Sequence, residues 1–187
     1  MRRRVRALLF AICLTACGAS QPAQEDVTDQ SSFVETPFVA GDLSAEGLGP
    51  IRIGMRADVV RSILGDLIDV AEPNPNNPNC AEWSIGGDGV SLLLHDDAVA
   101  RISAHAPARV ITTEGVGIGS IAAQVRAAYP HAERESAEYT PDPGHELFVW
   151  TDRDNFQGLR FEIAEDETVS AIHAGGDLRN IEGCVGL

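Results

Sequence analysis

Glu114-Gly-Val-Gly-Ile-Gly-Ser-Ile-Ala-Ala-Gln-Val125 decides how the rest of the chain is read. It follows a β-like run and opens a helix-like one, the setting of a phosphate-binding glycine turn. Its spacing excludes that chemistry. A dinucleotide turn has Gly-x-Gly-x-x-Gly, and a Walker loop ends in Gly-Lys, which a chain without lysine cannot provide. The same pattern stands earlier as Glu46-Gly-Leu-Gly-Pro-Ile-Arg-Ile-Gly54. Both read Glu-Gly-apolar-Gly and then Ile-Gly, the first with three extra residues. A glycine turn written twice is a joint from extended chain into helix, where tight turning needs a residue without Cβ.

Each joint runs into a short amphipathic segment, with Val59, Val60, Ile63 and Leu64 in one and Ile121, Val125, Ala128 and Tyr129 in the other. Gly65 and Pro130 end them. Turn-rich loops follow, Glu72 to Asn79 and Tyr139 to Gly144, and then alternating strands. Val90, Leu92 and Leu94 turn at Asp96-Asp97 and return through Val99 and Ile102. Leu159, Phe161 and Ile163 turn at Glu165-Asp166-Glu167 and return through Val169 and Ile172. The pattern predicts an α+β fold of two tandem helix-plus-three-stranded antiparallel meander repeats. Repeat one covers about 43–106 and repeat two about 111–176, packed as one domain over 41–187 with a C-terminal tail holding Cys184. One such unit is too small to be stable alone, so two sharing a core are expected.

Ile53-Gly54-Met55, the helix, the turn-rich loop and the meander together resemble the SmpA/OmlA type of outer-membrane assembly lipoprotein and the tandem repeat of β-lactamase inhibitory protein. Both are binding or scaffolding modules without catalytic residues. The chain departs from them at Arg56, where those families have an N-capping Thr, and at Ser120-Ile121 in the second half. It is also similar to uncharacterised bacterial lipoproteins with Thr-x-x-Gly-x-Gly-x-Gly, Tyr-Pro and a terminal Glu-Gly-Cys, here Thr112 to Gly119, Tyr129-Pro130 and Glu182-Gly-Cys184. That likeness implies an address and an architecture.

The N-terminus points to the same address. Met1-Arg-Arg-Arg-Val-Arg6 is a basic n-region, and Ala7 to Leu14 is an apolar run too short to span a bilayer. Leu14-Thr-Ala-Cys17 resembles the lipobox of bacterial lipoproteins, which makes residues 1–16 a signal peptide and Cys17 the acylated (palmitate-bearing) first residue of the mature chain. Gly18 beside the anchor resembles lipoproteins sent to the outer membrane, facing the periplasm. Residues 17–40 then read as lipidated cysteine plus polar, aperiodic tether, too poor in apolar residues to bury a core.

Removing the signal takes away four arginines and no acid, which moves the formal charge from −14 to −18. That balance disfavours nucleic acid and anionic lipid head groups as partners. With Cys13 in the signal and Cys17 acylated, Cys80 and Cys184 remain, and an oxidising compartment predicts a disulfide between them. Metal binding or catalysis by these thiols would lack a Cys-x-x-Cys or a neighbouring histidine pair.

Few segments carry candidate chemistry. Tyr139, Asp142, His145 and Glu146 are a candidate recognition loop, set against the plainer reading of a long surface connection. His95, Asp96 and Asp97 are candidate metal ligands, set against an acidic hairpin tip that serves solubility. Asp152-Arg-Asp-Asn155 resembles the start of a calcium loop, but Phe156 and Gln157 stand where a ligand and a glycine are required. No Gly-x-Ser-x-Gly, His-Glu-x-x-His or paired-carboxylate framework predicts hydrolysis. The expected protein is therefore non-enzymatic and without cofactor. It is lipid-anchored in the cell envelope and binds an envelope protein or contributes to envelope assembly. The alternative is a periplasmic inhibitor or a sensor of a metal or small ligand.

Overall fold

The computed structural model describes residues 42–71, 74–138, 140–180 and 182–184. By its internal contacts the chain divides into Met1–Val34 and Glu35–Leu187, and every described residue lies in the second unit. The signal peptide, Cys17 and the tether fall outside the described residues.

The described chain is mostly β. Three two-residue strands come first, β1 (Leu43–Ser44), β2 (Gly47–Leu48) and β3 (Ile51–Arg52), forming a small antiparallel sheet. Helix α1 (Ala57–Leu64) and a 3-10 turn lead into β4 (Ile68–Val70), β5 (Cys80–Ile85), β6 (Val90–His95) and β7 (Ala98–His105). Helix α2 (Ala122–Ala128) leads into β8 (Glu133–Ser136), β9 (His145–Asp152), β10 (Gln157–Ile163) and β11 (Val169–Gly175). Strands β4 to β11 form a single antiparallel sheet of eight, in the order β4-β5-β6-β7-β11-β10-β9-β8.

This architecture overturns the expected pair of helix-plus-three-stranded repeats. Among the described residues eleven strands lie in two antiparallel sheets, with two short α-helices, and each helix is followed by four strands. The two runs of strands are joined by backbone pairing of β7 with β11, Ile102 opposite Ala174. The strands that the pattern missed are edge strands. Ile68-Asp-Val70 is very short, and Glu133-Arg-Glu-Ser136 has no apolar residue at all, which is how a sheet blunts an exposed edge. Glu46 to Arg52, read as part of a glycine joint, holds β2 and β3.

Both helices bury their apolar stripe in one core cluster with one face of the large sheet. Ala57, Val60 and Leu64 of α1 and Ala122 and Val125 of α2 meet Trp83, Leu92, Ile102, Leu147, Phe161 and Ile172 there. Val59, Ile63 and Ile121, expected in that stripe, are instead 42%, 40% and 49% exposed. Gly54 (φ +80°) and Gly119 (φ +83°) each stand three residues before a helix, in a conformation that favours glycine. Glu114 is held by Tyr129 Oη at the end of α2, so the quoted stretch is tied to its own helix.

The opposite sheet face is crossed by the C-terminal residues after β11. Leu178 is fully buried there, and Cys184 is bonded to Cys80 across a sequence separation of 104 residues. The predicted disulfide is thus present. Cys80, Leu93 and Cys184 form a small apolar cluster of their own.

Candidate functional site

Two arrangements hold most of the functional side chains, one on each side of the large sheet. The first is a cleft of about 430 Å³ beside α1, β5 and the β6–β7 turn. Val70, Pro78, Ala81 and Leu94 give it apolar walls around Trp83, and Arg61, Asp96 and Asp97 bring charge to it. The Arg61 guanidinium lies over the Trp83 ring, 4.3 Å from its centroid. Asp96 (φ +49°) and Asp97 (φ +60°) form the two-residue turn, a pairing that Asp tolerates better than most side chains. Backbone bonds fix that turn: Asp96 N–H donates to Asn79 O at 2.9 Å, and Ala57 N–H at the start of α1 donates to Asp97 O at 2.8 Å.

The second arrangement is a polar row on the face crossed by the C-terminal segment. Because Glu162 is held ionised, its pKa lowered to about 2 chiefly by the His173 hydrogen bond, His173 Nε2–H donates to Glu162 Oε1 at 2.9 Å. That leaves Nδ1 to accept from Ser103 Oγ at 2.8 Å. Arg160, 1% exposed, donates from Nη2 to the same Glu162 oxygen at 2.8 Å and from Nη1 to Leu178 O at 2.8 Å. Arg101, also buried, donates to Asp177 O and Asn180 O. The two arginines therefore hold the C-terminal segment by its carbonyls.

Ser103, His173 and Glu162 share the residue types of an acyl-transfer triad, and their surroundings suit a structural strut. Burial, first, and then the Arg160 charge lower the His173 pKa to about 4 against the opposing pull of Glu162. A base that weak has little driving force to take a proton from serine near neutrality. Ser103 also sits inside β7, opposite Ser91 on one side and His173 on the other, so the sheet ladder occupies the backbone groups that an oxyanion hole would need.

The predicted site residues do not gather. Asp96 and Asp97 line the cleft, while His95 turns away, its Nε2 lying 3.9 Å from Asp177 Oδ2. Among the described residues no group of three or more His, Cys, Asp and Glu side chains could hold a metal ion. Tyr139 lies outside the described residues. Asp142 is exposed, whereas His145 is 1% exposed and spans from Arg126 Nη2 (3.0 Å) to Pro143 O (3.1 Å), pinning α2 to β9. Glu146 points to the other face, in register with Glu135 and Glu162, and burial raises its pKa.

Sequence reasoning missed Arg61 and Trp83, because nothing local says that a helix residue and a strand residue some twenty positions apart will stack. It also missed Arg160, Glu162 and His173 as a set. They alternate with Leu159, Phe161 and Ile163, or with Ile172 and Ala174, which marks them as the polar face of strands and says nothing of the segment that covers them.

No family model matches the chain, and no curated protein matches it. Among solved structures it is similar to a cysteine-rich secretory protein from Staphylococcus aureus subsp. aureus Mu50, at 10% identity and a TM-score of 0.39, covering 65% of this chain and 43% of that one. It is also similar to an extracellular protein containing a SCP domain from Bacillus anthracis str. Ames, at 12% identity and a TM-score of 0.41, covering 84% of this chain and 50% of that one. The chain thus spans half or less of the length of these neighbours.

Proposed function

We propose that the protein is a lipoprotein of the bacterial cell envelope, anchored through acyl chains on Cys17 to the outer membrane and facing the periplasm, that binds an envelope protein and performs no catalysis. The observation that carries the binding role is apolar surface left open on one helix and on the edge strand that follows it. Val59 and Ile63 lie one turn apart on the outer face of α1, 42% and 40% exposed, and Val70 of β4 is 45% exposed. An edge strand offers unpaired backbone groups next to such side chains, the usual footing for a protein partner. The weak basicity of His173 and the occupied ladder around Ser103 support the non-catalytic part. The signal-like N-terminus and lipobox support the address.

Site-specific photo-crosslinking in intact cells tests the partner. A crosslinker at Ile63 or Val70 is expected to capture one discrete envelope protein, and a crosslinker at exposed Asp142 is expected to capture it less. Equal labelling from all three positions, or no adduct, defeats this surface. Mass spectrometry of the mature chain tests the anchor, since an unmodified Cys17 removes it.

A further inference from the structure

We infer that the cleft beside α1 is a binding site for a small zwitterion, a free α-amino acid or a compound of the same design. Such a ligand has a carboxylate and an ammonium group close together on an apolar body. The inference goes beyond the protein-partner reading and shares only Val70 with that surface.

The volume, about 430 Å³, is that of a small-ligand site. Its charges are of both signs and form no ion pair among the described residues. Arg153 in the β9–β10 turn, Arg160 on β10 and Arg179 in the segment after β11 pair with Glu133, Glu162 and Glu135. Arg61, Asp96 and Asp97 make no salt bridge with one another or with any other described residue. The Arg61 guanidinium rests over the Trp83 ring, and its N–H groups make no hydrogen bond to a described residue, which leaves them available to a carboxylate. The bonds from Asp96 N–H and to Asp97 O fix the backbone of the turn, which brings both aspartates to the cleft wall, where a carboxylate can meet an ammonium group.

The charge pattern chooses among ligand classes. A simple anion that reached Arg61 would share the cleft with two carboxylates. A simple organic cation would share it with Arg61. A metal ion needs three or four converging ligands, and His95 faces Asp177 instead. A ligand bearing both charges satisfies both sides, and Val70, Pro78, Ala81 and Leu94 receive its apolar part.

The test is an amide-resolved NMR titration of the full mature chain with leucine, phenylalanine and glutamine. N-acetyl-leucine and leucine amide, each lacking one charge, serve as paired controls. At least one free amino acid should give saturable shifts confined to amides of residues 61, 70, 81–83 and 96–97, and each blocked leucine should bind at least tenfold more weakly than leucine. Arg61→Gln should lower affinity for the free amino acid about tenfold and leave N-acetyl-leucine worse still. Asp96→Asn with Asp97→Asn should do the same with leucine amide as the control. All three positions are surface-exposed, so the aspartate variants should leave the melting curve unchanged and Arg61→Gln should lower it only by the small loss of the Trp83 contact, each variant remaining folded at the titration temperature. The proposal fails if no amino acid gives saturable shifts in the cleft, or if the blocked leucines bind as well as leucine. Neither outcome touches the crosslinking result, so this site and the protein-partner surface fail separately.

Discussion

Gly54 and Gly119 occupy equivalent places in the backbone. Gly54 N–H donates to Val99 O at 2.7 Å, and Gly119 N–H donates to Val169 O at 2.9 Å, with φ of +80° and +83°. Three residues on, Ala57 N–H donates to Asp97 O and Ala122 N–H to Glu167 O, both at the first position of a helix. Each glycine therefore sets the angle at which a helix leaves the strand turn it is bonded to.

An added Cβ would meet nothing within 4 Å at either position, so Gly54→Ala and Gly119→Ala isolate the cost of the left-handed backbone. Each should destabilise the fold by about 1 to 2 kcal/mol, by nearly equal amounts, in urea denaturation. A neutral result at either position would mean that the helix entry tolerates another backbone, and the equivalence would be lost.

The joints were legible in the sequence because glycine spacing and turn chemistry are local. So was the face of each central strand, since Leu159, Phe161 and Ile163 alternate strictly with Arg160 and Glu162. The edges were not. Strand β8 is Glu-Arg-Glu-Ser, held by its register with β9, and no periodicity reveals a strand whose pairing partner supplies all its order. Residue type groups Asp96 and Asp97 with His95 as metal ligands, yet alternation along β6 sends His95 to Asp177, and the left-handed turn after it carries the aspartates to the cleft. Residue type singles out the turn, and tertiary placement separates its histidine from its aspartates.

Stability should depend on pH through His173 and Glu162. The His173 pKa falls from 6.5 to about 4 on folding, mainly by burial, so between those values the unfolded chain binds more protons and stability rises with pH. Going down from pH 6.5 to 4 that contribution is lost, on the order of 3 kcal/mol. Glu162, lowered from 4.5 to about 2, extends the loss as pH falls below 4.5. Denaturation midpoints measured from pH 7 to 3 should drop throughout, and His173→Gln should flatten the curve above pH 4.5. A wild-type curve flat between pH 6.5 and 5 contradicts a buried neutral imidazole.

Arg160 should be among the costliest residues to replace. Its guanidinium joins β10 to Leu178 O and to Glu162, so Arg160→Met removes both bonds and one stabilising charge from Glu162. The expected loss is about 3 kcal/mol, the lower end for breaking a buried pair, since Glu162 keeps His173 and some solvent. The Glu162 pKa should also rise, visible by carboxyl NMR. A change below 0.5 kcal/mol, typical of surface sites, would show that the segment is held by other contacts.

The Cys80–Cys184 bond should matter more to the C-terminal segment than to the large sheet. It closes a loop with a separation of 104 residues, for which chain entropy allows about 4 to 5 kcal/mol at most. The native ends keep other ties, because Cys184 N–H donates to Glu82 Oε1 at 3.1 Å and Asn74 Nδ2 donates to Cys184 O at 2.9 Å. Paired Cys80→Ser and Cys184→Ser replacement should therefore cost about 2 to 4 kcal/mol globally. It should also make residues 176–184 the first site of limited proteolysis, while amides of β9 and β10 keep their exchange protection. If the sheet amides lose protection together with the segment, the segment is an integral part of the fold.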